Sequence, residues 1–158
     1  MKKLIILFFF TFSVSAQETE TEIPFPLTLY NKCFDDLKPM KYISENSSWK
    51  DSDLCNLTMC SLLLAVKDPE AVAELKNRII EITRKLFENG TPIKLISGLD
   101  SFEYAEKLNE NLKDDNGIIY ISIAACTLSE QESLTKEIVN AETNRLVKLK
   151  IATSPNSH

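Results

Sequence analysis

Glycine is scarce in this chain. Its three glycines, Gly90, Gly98 and Gly117, are too few and too scattered to write a dinucleotide-binding fingerprint or a phosphate-cradling loop. Histidine occurs once, as His158, which excludes the usual Ser-His-Asp and Cys-His catalysis, histidine-based zinc sites and a histidine pH switch. Basic clusters are missing as well: the formal charge is −5, which repels polyphosphate backbones and argues against a nucleic-acid partner. After the first sixteen residues no apolar run approaches the roughly twenty residues needed to span a membrane. No cofactor, metal site or assembled catalytic set is expected from these residues.

What is present begins with a leader. Met1-Lys2-Lys3 is a positive start, Leu4 to Phe12 is apolar except for Thr11, and Ser13-Val14-Ser15-Ala16 carries the small residues of a signal-peptidase site, so residues 1–16 are expected to be a signal peptide cleaved before Gln17. Cleavage removes two of the 18 basic residues and none of the 23 acidic ones, so the charge falls from −5 to −7. The Lys-Lys start and the Ala16-Gln17 junction favour a bacterial exporter, hence the periplasm or medium. The alternative is eukaryotic secretion, for which the sequons at Asn46, Asn56 and Asn89 speak, although such asparagines also belong at helix ends.

The mature chain is expected to form one domain over residues 30–152, preceded by a flexible, extended arm (17–29) and followed by a frayed tail (153–158). Pro24 and Pro26 suggest that the arm is extended, with a helical turn or two through Tyr30–Lys38 around Cys33. A broadly apolar helix is predicted from Ser52 or Asp53 to Val66. A second starts at Asp68-Pro69, where Asp caps and Pro is tolerated, shows Val72, Leu75, Ile79, Ile82 and Leu86 on one face, and stops at Asn89-Gly90. Ile93–Ile96 and Ile118–Ala124 read as strands. Between them a helix capped by Asp100 carries Phe102, Ala105, Leu108 and Leu112 on one side. Ser129 and Glu132 form a capping box for a last helix to Lys150, with Leu134, Ile138, Ala141, Leu146 and Leu149 as its inner side.

After residue 50 the order is α-α-β-α-β-α. The fold class is α/β, with α+β as the alternative, and the short sheet is parallel because a strand-helix-strand unit crosses over right-handed. Two strands alone make a poor sheet. Either a third hides between Ile23 and Tyr42 or helices cover a minimal one.

Four cysteines in an exported chain point to disulfides at Cys33, Cys55, Cys60 and Cys126. On one continuous helix Cys55 and Cys60 would have Cα atoms about 8.6 Å apart, beyond the roughly 7 Å a disulfide allows. That leaves Cys33–Cys55 with Cys60–Cys126, the preferred pattern, or Cys33–Cys60 with Cys55–Cys126. Cys126, between a strand and a helix start, is also the one candidate reactive thiol.

The carboxylate pairs Asp35-Asp36, Asp51 with Asp53 and Asp114-Asp115 fall at turns or helix starts, where Asp serves the backbone. Asp114 to Gly117 is a turn and not a calcium loop, since Leu112 stands where the first ligand would be. Phe25, Trp49 and Tyr120 are candidates for an apolar binding patch. The function these features favour is a non-catalytic binding or accessory protein whose partner is another protein or an envelope component; the alternative is a thiol-dependent enzyme or redox protein using Cys126.

Overall fold

Helix starts and stops in this chain are set by side chains that satisfy free backbone groups. The computed structural model describes residues 25–110 and 117–153. Six helices and two strands follow in order: α1 Phe25–Tyr30, α2 Lys41–Asn46, a 3-10 turn Asp51–Leu54, α3 Leu57–Leu63, α4 Pro69–Glu88, β1 Ile93–Ser97, α5 Ser101–Glu110, β2 Ile119–Ala124 and α6 Glu130–Thr153. The mixed class and the order α-α-β-α-β-α from α3 onward agree with the sequence. No helix among the described residues is long and apolar enough to cross a membrane.

Asp68 opens α4 by accepting the Glu70 and Ala71 N–H groups, with Pro69 in the first turn, and Gly90 at φ 75° takes the chain out of it. Leu75, Ile79, Ile82 and Leu86 on this helix are at most 1% exposed and pack with Leu54, Leu57, Ile93, Leu95, Ile121 and Val139 in one core. Strands β1 and β2 pair in parallel, from Ile93 opposite Ile119 to Ser97 opposite Ala124, with a bulge after Ile96.

The two-stranded sheet is completed by helices, with no third strand among the described residues. On the outer edge of β1 the Asn140 carboxamide donates to the Leu95 C=O (2.9 Å) and accepts the Leu95 N–H (2.8 Å). On the outer edge of β2 the Asn109 carboxamide does the same for Tyr120, at 2.8 Å in both directions. Each asparagine presents a donor and an acceptor side by side, as a neighbouring strand would. Edge groups that would otherwise invite another chain are thereby occupied.

Several expectations are corrected. The stretch expected to be an extended arm contains α1, because Pro26 sits in the first turn, where a missing N–H costs nothing. The helix expected through Tyr30–Lys38 ends at Tyr30: from Asn31 the chain opens out and the Phe34 N–H donates to Cys55 C=O across to the 3-10 turn. The expected helix from Asp53 to Val66 is broken at Cys55-Asn56, since Asn56 accepts the Met59 N–H and starts α3 afresh. In α5 the inner face is Ser101 and Ala105, while Phe102 is 58% exposed; Leu112 and Asp114 to Asn116 lie outside the described residues, as do residues 1–24.

In α6 the inner face is Thr135, Val139, Glu142 and Thr143, whereas Ala141 and Leu149 are exposed and Leu134, Ile138 and Leu146 are half-buried. The buried stripe is displaced by one residue, about 100° around the axis, because its polar members have work to do at the sheet. Thr143 donates to Ile93 C=O (2.8 Å) and Thr135 lies 2.9 Å from the Ser61 hydroxyl.

Candidate functional site

Of the preferred cysteine pattern one bond is present and the other is not. Cys33 is bonded to Cys55, with Cα atoms 4.6 Å apart. Cys60 and Cys126, expected to form the second bridge of the preferred pattern, are free. Cys60 is fully buried against the core, its sulfur 3.7 Å from Leu54 C=O. Burial pushes its thiol up to about 12, against the opposing pull of the Arg78 cation, so it is an inert thiol packed as a small hydrophobe.

Cys126 is exposed in the link after β2, four residues before α6 begins. It is not the group that meets the α6 N-terminus. Ser129 accepts the Glu132 N–H (3.1 Å) and Glu132 accepts the Ser129 N–H (2.8 Å), so the carboxylate of the helix's own capping box supplies the negative charge that this end favours.

None of the acidic pairs forms a two-carboxylate cleft among the described residues. Asp36 pairs with Lys85, Asp51 accepts the Met40 N–H (3.0 Å) and Asp53 the Lys50 N–H (3.0 Å). No group of three or more His, Cys, Asp or Glu among the described residues could hold a metal ion. The glutamates of α4 are likewise structural. Glu74 accepts the Tyr42 and Ile43 N–H groups, both at 2.9 Å, and Glu81 that of Lys38 at 2.8 Å. Buried Arg78 donates to Lys38 C=O (2.6 Å) and pairs with Asp51 (3.4 Å) and Glu81 (3.5 Å). The polar side of α4 thus clasps the backbone of residues 38–43.

At the carboxyl ends of the strands, where open parallel sheets place their ligands, Lys136 donates to the Ser97 hydroxyl at 2.9 Å. The spacing in sequence gives no hint of this pair, since 39 residues separate its members. The Gly98 N–H beside it, which could otherwise serve as an oxyanion donor, is spent on Ala124 C=O (3.1 Å). Ser101, next along, bonds to the Ser122 hydroxyl (2.6 Å) and to Ala124 C=O (2.9 Å).

The more developed feature is a groove of about 590 Å³ between α1, α5 and β2. Pro26 and Leu27 form one wall, Phe102 and Ala105 the other, and Tyr120 and Ile121 the floor. Three glutamates of α5, Glu103, Glu106 and Glu110, line its outer side. Phe102 stands 58% exposed at its mouth, close in sequence to Leu99 and Tyr104, exposed by 81% and 57%. Of the three aromatics expected to form a patch, only Tyr120 is placed here. Trp49 lies against Tyr42, Leu63 and Val66 instead, and the Phe25 side chain is outside the described set. The sequons are on the surface or at caps: Asn46 ends α2, Asn56 caps α3 and Asn89 ends α4.

Comparison with known proteins finds no matching family model, no similar curated protein and no matching solved structure. The geometry therefore has to carry the functional argument. It offers an apolar, open groove lined in part by the exposed Phe102.

Proposed function

We propose that the chain is exported through its 16-residue leader and acts, without catalysis, as a binding or accessory protein whose docking surface is the groove between α1, α5 and β2. The observation that carries this reading is the groove itself: an apolar floor and walls, with the exposed Phe102 among its lining residues. The Cys33–Cys55 bond suits an oxidising compartment, and the partner class is another protein or an envelope component. The test is cross-linking in the native host with a photoreactive group placed beside the groove, at Glu106. A specific adduct that disappears on Phe102→Asp, in a variant that still melts cooperatively, supports the reading. An adduct profile identical with and without that substitution refutes it.

The thiol-dependent alternative retains one favouring observation, the exposed and unbonded sulfur of Cys126. Cys126→Ser separates the two: a binding protein keeps its adduct, whereas a thiol enzyme or redox protein loses all turnover. Export itself is tested by the intact mass of the secreted form, which begins at Gln17 if the leader is cleaved as proposed.

A further inference from the structure

We infer that the groove accepts the C-terminal end of α6 from a second copy of this chain, so that molecules associate head to tail. The inference rests on the groove's being a binding surface, and names its occupant. Helix α6 has 24 residues and a length of about 36 Å, while β1, along which it packs, has five residues and a length of about 16 Å. Thr143 is already level with Ile93, the first residue of that strand. The ten residues from Asn144 to Thr153 therefore run on for about 15 Å past the end of the sheet.

This projecting end has a definite chemistry. Leu149 and Ile151 are 49% and 52% exposed, and the cations Arg145, Lys148 and Lys150 follow Glu142 with no further carboxylate. It is a cationic, apolar prong on a chain of net charge −5. The groove is its complement: apolar walls of matching kind, with Glu103, Glu106 and Glu110 at positions i, i+3 and i+7 of α5, one stripe along about 10 Å of helix. No Lys or Arg is among the residues lining the groove; Lys107 of the same helix pairs with Glu103 at 2.6 Å, so Glu106 and Glu110 carry most of the groove's negative charge.

Other occupants fit less well. A symmetric groove-to-groove dimer would set three glutamates against three, which costs affinity. The stretch from Glu18 to Glu22, with three glutamates, meets the same repulsion. Prong and groove belong to opposite edges of the sheet, since α6 packs on β1 and α5 on β2; they meet between molecules and not within one. Such a contact is heterologous, and closes into a ring or continues as a chain according to its rotation. One helix end in one groove is a contact at the small end of specific interfaces, which places association in about the 10 μM to 1 mM range.

The test is sedimentation of the full mature chain across about 10 μM to 1 mM. Concentration-dependent association is expected, weaker at about 500 mM than at about 50 mM salt because the charges are exposed. The pair Glu106→Lys with Glu110→Lys, and separately the pair Lys148→Glu with Lys150→Glu, should each weaken association about tenfold or more. Mixing the two variants at equal amounts should restore it, since each then meets a groove of opposite sign. A chain that remains monomeric throughout, or one whose association ignores both reversals, overturns the inference. If the chain stays monomeric while a labelled peptide of residues 143–153 binds the groove, self-association is refuted and the groove's binding role survives.

Discussion

Removing one carboxamide should cost this domain a large share of its stability. Asn140→Ala deletes a donor and an acceptor that serve the N–H and C=O of Leu95, at 2.8 and 2.9 Å. Leu95 is 1% exposed, so both of its backbone groups lose their partners in a nearly dry place. A buried group left unsatisfied costs about 1–3 kcal/mol, and the two together about 2–6 kcal/mol. Asn140 is itself half-buried, so water entering the vacated space recovers part of this, and about 2–4 kcal/mol is the expected loss. Against a typical margin of about 5–15 kcal/mol that is a drop in Tm of about 6–15 °C for a domain of this size. Urea unfolding followed by far-ultraviolet circular dichroism measures it. Asn140→Asp sharpens the test. The introduced carboxylate still accepts the N–H but opposes the C=O, and regains a donor only when protonated. Its folded-state pKa is therefore raised, and the stability it supplies is present below the ordinary carboxyl value and lost as pH rises through the raised one. A loss under about 0.5 kcal/mol for Asn140→Ala, the size of a neutral surface change, would refute the account of how the sheet edge is satisfied.

The remaining predictions concern the core, the charges and the thiols. Leu75→Asp or Ile121→Asp, each at a residue 1% exposed, should abolish the cooperative transition because an unpaired charge is forced into the core; a melt within a few degrees of the parent's would place those faces wrongly. Glu142 is held below the ordinary carboxyl range, first by its bond to Arg145 and also by Arg84, so its contribution is present above the unfolded carboxyl value and lost as pH falls through the depressed one. Glu142→Gln should accordingly flatten the acid limb of a stability-against-pH curve, and an unchanged limb counts against the triad. With a thiol reagent the native protein should show one fast thiol, Cys126, and a second, Cys60, only on unfolding; zero thiols in the oxidised protein would mean that the last two cysteines do pair.

The parts of the fold that follow a local rule were legible in the sequence. Helix α4 and the box at Ser129 could be placed because Asp68, Gly90, Ser129 and Glu132 bond to near neighbours and Pro69 loses nothing in a first turn. Parallel pairing followed from handedness alone. Two misses were of local signals, the first-turn Pro26 and the Asn56 cap; the others arise where the deciding bond reaches far along the chain. The inner face of α6 could not be read from periodicity, because Thr143 and Asn140 are buried or half-buried for the sake of β1, 50 and 45 residues away. A hydrophobic count scores them as outward residues.

The same distinction accounts for what was and was not visible of the site. Cys126 stands out because its neighbourhood resembles that of a reactive thiol, yet the Ser129 N–H donates to the Glu132 carboxylate and the Glu132 N–H to the Ser129 hydroxyl. In the sequence Phe102 shares one side of α5 with Ala105 and Leu108, an apolar residue at every third or fourth place. The helix instead packs through Ser101 and Ala105, whose small side chains bring it close to β2 and let the Ser101 hydroxyl reach Ser122 and Ala124. Close approach on that side turns Phe102 outward over the groove. An exposed aromatic is therefore the geometric consequence of a small-residue contact one position earlier. The apolar surface it leaves open beside three glutamates is a property of the assembled fold that no short stretch of sequence contains.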